Sequence, residues 1–375
     1  MMVRMVGAVV FAAVLVGWLP TTFGAEEAGP AQDPEILRFA ERAASWYPDS
    51  VFRVTRDEVR QTASGSYRVV TVERTCGSEF LSGVTTLLID EVTSTVWIGS
   101  VGGLPIAERK VGLKDLKPFL EGYLPEALQR VVGRKLRVEW DAGGLRPGAL
   151  IPFQLRVDSG YGEYLKPVAV TADGEQLALG SPLPLDRDPV EYRREQLDTS
   201  PLVTWDRTTD SATVDVVEFS DFECPGCRRK WPLIELLLER FAGKLRHGFA
   251  AFPLITIHPW AFRAASAGWC VAEQKPEAML PLKDLFYSLQ KEMDVSEVTP
   301  TALDFVAAQG LDEERFSSCY LHAPSLDGVH AQVSFGNLLG VAATPTYFVN
   351  GWLVQVPEEE WLVPMVGRLA EGLDP

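Results

Sequence analysis

Cys224 and Cys227, separated by Pro225 and Gly226, stand where a short apolar run ends and a helical run begins. Residues 214–219 read VDVVEF, the nearly continuous apolar pattern of a strand covered on both faces. Beyond Cys224, the residues Trp231, Leu233, Leu236, Leu237 and Leu238 mark a helix that Gly243 breaks. Two thiols at a helix start can close a small-ring disulfide. Cys224 would lie beside free backbone N–H groups and the positive end of the helix dipole, and both favour its thiolate. Cys227, one turn further in, is expected to be more buried. The chemistry this predicts is thiol–disulfide exchange: Cys224 exchanges with a substrate sulfur and Cys227 resolves the mixed disulfide.

Two other uses of such a pair compete with this one. Half a zinc site needs two further ligands, but Cys76, Cys270 and Cys319 are scattered and the four histidines form no close pair. An inert structural disulfide is the other, and the strand-to-helix context favours a redox pair over it. No metal and no organic cofactor is expected. With 51 Asp and Glu against 35 Lys and Arg, the net charge of -16 argues against a nucleic-acid partner.

Length and punctuation suggest several units in 375 residues. Residues 1–24 carry Arg4 as their one charge, an apolar run over 5–19, and small residues at Thr22 and Gly24. They read as a secretory signal cut after Gly24, with a retained anchor as the competing reading. Residues 25–33 form a flexible leader. Residues 34–183 form an α+β region of one or two modules: a helix from Pro34, strands near 51–54, 67–72, 84–89 and 95–98, a helical stretch over 116–132, then strands near 136–140, 153–157, 168–171 and 176–179. Residues 184–208 read as a linker with a short helix inside it. The catalytic domain is expected over 209–375, with a helical insertion over 259–340. The exported chain is expected to be soluble, in a compartment where disulfides survive.

Over about 212–372 the sequence resembles the thioredoxin-fold superfamily, and within it the exported DsbA-like thiol-disulfide oxidoreductases. Beyond the cysteines, the resemblance rests on Glu218 before the pair, Pro232 in the helix after it, and Thr344-Pro345 ahead of Tyr347, Phe348, Val349 and the Asn350-Gly351 turn. Phe252-Pro253, His258-Pro259 and Ala261 lead into the insertion in the same manner. The implied fold is an α/β thioredoxin-like fold with a helical insertion, preceded by an α+β region. The resemblance further implies that Pro345 is cis, with Thr344 and Pro345 presenting backbone to an extended substrate. It implies that Glu218 is a buried acid near Cys227, and there a raised pKa would suit it to relay a proton. Phe222 and Trp260 are the expected lining of a shallow apolar surface around the sulfurs.

Some features point elsewhere in the superfamily. Pro225-Gly226 stands where strongly oxidising relatives carry Pro-His, which leaves the direction of reaction open. Thr344 before Pro345 and the texture of 168–185 resemble DsbC-type isomerases. The expected activity is disulfide formation in exported proteins. Isomerisation, reduction, or service to one dedicated partner are the alternatives. Partners would be unfolded or partly folded exported proteins, a redox partner that resets the pair, and a second copy bound through the N-terminal region. Within the insertion, Cys270 and Cys319 either form a structural disulfide or remain buried thiols. Cys76 is odd by count: a buried free thiol, or a link between subunits.

Overall fold

The computed structural model describes residues 32–62, 64–77, 82–102, 118–119, 121–123, 136–139, 149–179, 182–207, 209 and 211–375. The signal expected over 1–24, nearly all of the 25–33 leader and most of the helical stretch over 116–132 lie outside these residues. Among the described residues no helix is long and apolar enough to cross a membrane.

Helix α1 (Pro34–Ala43) starts as its sequence predicts. Asp33 Oδ1 accepts the N–H groups of Glu35 and Ile36, and Pro34 occupies the first turn, where no N–H is needed. Strands β1 (Val51–Thr62), β2 (Gly65–Thr75), β3 (Gly83–Asp90), β4 (Thr95–Ile98), β5 (Ser100–Gly102), β6 (Leu136–Glu139), β7 (Leu150–Asp158), β8 (Glu163–Thr171), β9 (Gln176–Leu179) and β10 (Pro182–Pro184) build two antiparallel sheets. The first runs β1-β2-β3-β4-β10 and the second β5-β9-β8-β7-β6. Side-chain alternation explains how they stack. Val70, Val72, Leu87, Ile89 and Val96 face Ile36, Phe39 and Ala40 of α1, while Val69, Leu88 and Trp97 face Leu150, Ala169 and Ala178 of the second sheet. Both faces of the first sheet are thus covered, and each fully buried aliphatic side chain contributes roughly 1.5–3 kcal/mol.

The segment expected to be a linker holds helix α2 (Pro189–Thr199) and strand β11 (Thr204–Arg207). Strand β11 pairs with β13 (Leu245–Ala251) as the edge of a third sheet, completed by β12 (Val214–Ser220), β14 (Thr346–Val349) and β15 (Trp352–Val354) in the order β11-β13-β12-β14-β15. Strand β12 is central, parallel to β13 and antiparallel to β14, and almost wholly buried, as its apolar run requires. Helix α3 (Pro225–Arg240) follows it directly. Helices α4 (Ala261–Ala272), α5 (Met279–Leu289), α6 (Val298–Ala308), α7 (Glu313–Cys319) and α8 (Ala323–Leu338) form the insertion between β13 and β14, and α9 (Glu359–Ala370) ends the fold. This is an α/β thioredoxin-like core with a helical insertion, preceded by an α+β region.

Among the described residues, contacts between the two halves include one near α1 and one at the β7–β8 hairpin. Near α1, the Trp46 N–H donates to the Leu353 carbonyl (2.7 Å) and the Trp46 ring lies 5.5 Å from that of Trp361. At the β7–β8 hairpin, Tyr161 stacks on Phe262 with ring centroids 4.6 Å apart, Ser159 Oγ pairs with His330 Nε2 (2.8 Å), and the Leu165 N–H donates to Ser334 Oγ (3.1 Å).

Candidate active site

Cys224 is the residue that caps the N-terminus of α3, with extended backbone, and Pro225 opens the first turn. Its sulfur stands at the open end of the helix, where the Cys227 N–H acts on it. The loop before it is tightly held. The Cys224 N–H donates to the Asp221 carbonyl (3.1 Å), and Gln290, just past α5, donates through Nε2 to the carbonyls of Phe222 (2.8 Å) and Cys224 (3.0 Å). As a thiol, Cys224 donates through Sγ to the Thr344 carbonyl (3.4 Å), and the Thr344–Pro345 peptide is cis. Pro225 is exposed, and a Cβ on Gly226 would come within 3.3 Å of Pro345 Cδ and 3.4 Å of Cys224 Sγ. Glycine therefore keeps a narrow gap between the sulfur and the proline loop. Pro232 lies inside α3.

The two thiols are free and differ sharply. Cys224 is 6% exposed and Cys227 0%. A hydrogen bond from the Cys227 thiol, helped by the Thr344 side chain and the Cys227 N–H, brings Cys224 down to about 6 against the opposing effects of burial and Asp221. Burial first, then Cys224 and Glu218, push Cys227 well up. The outer sulfur is thus the one that ionises readily, and the inner one holds its proton.

Beneath Cys227 lies a buried ionic cluster. Glu218 Oε2 accepts from Lys283 Nζ of α5 at 2.5 Å and lies 3.6 Å from His247 Nε2. His247 Nδ1 in turn meets Asp206 Oδ1 of β11 at 2.7 Å. Lys283 also sits over the Trp231 ring, 3.9 Å from its centroid. These facts correct the expected raised pKa of Glu218. Burial alone would raise it, but the Lys283 ammonium and then His247 override burial and hold the carboxyl below its ordinary range. An ionised Glu218 adds to burial and Cys224 in holding the proton on Cys227.

Beside Cys224 the acids behave differently. Glu223 Oε2 accepts the N–H groups of Trp260 (2.6 Å) and Ala261 (2.9 Å) at the start of α4. Burial nonetheless pushes it up to about 7, with Asp221 adding to the rise and the two N–H groups and His258 opposing it. The expected apolar surface around the sulfurs is not made by Phe222 and Trp260. Both are buried: Phe222 packs on Phe249, Phe286 and Tyr287, and Trp260 on Phe286, because α5 of the insertion closes over them.

Cys270 and Cys319 are bonded to each other, Cα–Cα 5.8 Å, tying α4 to α7. Cys76 is half-buried, its sulfur 3.8 Å from Ser82 Oγ. Among the described residues no group of three His, Cys, Asp or Glu side chains is placed to hold a metal ion. Sequence reasoning assigned no role to Asp206, Asp221, Glu223, His247, Lys283 or Gln290. Asp221 and Glu223 had a local signal, being acids three and one residues before a reactive cysteine. Lys283 had none.

A Thioredoxin family profile matches residues 209–362. The chain is 33% identical over 140 residues to the Na(+)/H(+) antiporter NhaA 3 of Salinispora tropica, a match covering 37% of this chain and 20% of the antiporter. It therefore spans about one fifth of the length of such antiporters. It is 31% identical over 150 residues to the probable disulfide bond formation protein D of Bacillus anthracis, covering 38% of this chain and 67% of that protein. Among solved structures, alpha-DsbA1 of Wolbachia pipientis superposes with a TM-score of 0.42 at 18% identity, over 48% of this chain and 96% of that one. With the strand–CxxC–helix geometry, the profile and the match to the Bacillus protein place this chain in the thioredoxin-fold superfamily.

Proposed function

We propose that the protein is an exported thiol–disulfide oxidoreductase that forms disulfides in other exported proteins. The observation that carries this reading is the asymmetry of the pair: a readily ionised sulfur at the open end of α3, beside the Thr344 carbonyl, and a fully buried thiol one turn further in. With the pair oxidised, a substrate thiolate attacks Cys224 Sγ, the Cys224–Cys227 bond breaks, and Cys227 leaves and takes up a proton. A second substrate thiolate then attacks the substrate sulfur of the mixed disulfide and releases the Cys224 thiolate. The substrate loses two electrons and the pair gains them. A partner of the disulfide or quinone class must remove those electrons again. The low pKa of Cys224 favours this direction, because stabilising the reduced form makes the disulfide a stronger oxidant. The match to a probable disulfide bond formation protein supports the same direction. Thr344 and Pro345 would dock the substrate backbone, and residues 34–183 would hold the substrate or a second copy of the chain.

The test uses the full chain with Cys227→Ala, incubated with an unfolded protein carrying a disulfide. Disulfide-linked adducts through Cys224 are expected, and none with Cys224→Ala. A Cys227→Ala protein that forms no adduct overturns the reading. A redox titration against glutathione fixes direction: a value near the oxidising end, roughly -120 mV, supports disulfide formation, and one much lower supports reduction.

A further inference from the structure

Asp221 is a buried carboxylate that gathers donors from two segments of chain. Its Oδ1 accepts the Glu223 N–H (2.8 Å), and its Oδ2 accepts the Leu254 N–H (2.8 Å) and meets His258 Nδ1 (2.6 Å). Its own carbonyl accepts the Cys224 N–H. Asp221 thereby joins the cysteine loop to the loop that follows β13. A fixed negative charge so close to Cys224 opposes a second one on the sulfur. His258 is held against that carboxylate, its side chain only 11% exposed.

We infer that the Asp221–His258 pair is a positioning device for Cys224, in which His258, as imidazolium, cancels the Asp221 charge that would otherwise oppose the thiolate. This inference rests on Cys224 being the exchanging sulfur. The titratable groups that act on His258 are Asp221, Glu223 and Cys224, and those that act on Cys224 are Cys227, Asp221 and, through the same coupling, His258. Burial pushes His258 down, but the Asp221 hydrogen bond and charge, then the charges of Cys224 and Glu223, raise it above its ordinary value. Such coupling is reciprocal: a thiolate that stabilises the imidazolium is stabilised by it to the same extent.

The experiment follows iodoacetamide labelling of Cys224 against pH in the reduced full chain, with the labelled site read by mass spectrometry. His258→Gln keeps a donor toward Asp221 and can never carry charge. Its midpoint for Cys224 ionisation is expected to rise by about one pH unit, which is about tenfold less thiolate below the midpoint. Labelling at high pH is expected to be unchanged. Asp221→Asn combined with His258→Gln removes both charges and is expected to bring the midpoint most of the way back. A purely structural role for His258 would give no such recovery. A His258→Gln midpoint equal to wild type, or a double variant displaced as far as the single one, overturns the inference. A Cys224 that never labels in the wild type overturns the oxidoreductase reading, and this inference with it. If His258→Gln fails to fold, the wild type decides by an NMR titration of His258. Its midpoint should fall when Cys224 is locked in the disulfide with Cys227, and an equal midpoint in both forms overturns the inference.

Discussion

The inner and outer sides of the cysteine pair each hold a partly or wholly buried glutamate, and the two glutamates are driven in opposite directions. Glu218, inside, is fully buried, yet Lys283 and His247 keep it ionised. Glu223, outside, is about half-buried, yet burial lifts it to about 7, because the N–H groups of Trp260 and Ala261 and the nearby His258 only partly oppose the rise. Depth of burial alone therefore does not set the charge state here. The deciding factor is whether a cation arrives with the carboxylate. On the inner side two carboxylates, Glu218 and Asp206, face two basic groups, Lys283 and His247, so charge can balance away from water. On the outer side Asp221 and Glu223 share the single imidazole of His258.

The strongest way to break the contrast is Lys283→Met. It leaves Glu218 as an uncompensated buried charge, and a loss of about 3–5 kcal/mol is expected in urea unfolding at neutral pH. Adding Glu218→Gln should recover most of that loss, because removing both charges is far less costly than removing one. A Lys283→Met protein as stable as wild type would mean that the inner cluster is not held as an ion pair.

Glu223→Gln makes a smaller and opposite change. The folded pKa of Glu223 is raised, so the folded state holds a proton that the unfolded chain loses. Stability is therefore greatest below about pH 4.5 and falls as pH rises toward about 7. Glutamine should erase that decline, raising the melting temperature by a few degrees at pH 8 and leaving it unchanged near pH 4. A melting curve with the wild-type pH dependence would place the titration elsewhere. The smallest effect is expected from Gly226→Ala. Its Cβ narrows the gap between Cys224 and Pro345, so exchange with a protein substrate should slow a few-fold while labelling by iodoacetamide barely changes. Equal slowing of both would point to a changed thiolate and not to a narrowed gap.

Much of this site is local and so was legible in the sequence. The strand–Cys–helix frame, the proline at the helix start and the Thr344-Pro345 step ahead of a hairpin each declare themselves within a few residues. The state of Glu218 did not, because the cation that decides it comes from 65 residues away on the insertion. The burial of Phe222 and Trp260 was missed for the same reason: they look like surface aromatics until α5 is laid over them. Strand β11 was hidden by its length and its setting. Four residues reading TWDR inside a charged stretch offer too little alternation to separate a strand from a linker.

Asp206 has a practical consequence for anyone who trims this molecule. It belongs to a strand that begins at Thr204, upstream of the point where the matching family domain starts at residue 209. A fragment begun at that border would lack the acid that answers His247 and would bare the flank of β13 to solvent or to another copy. The catalytic half as drawn by similarity is thus one strand short of the half that chemistry requires.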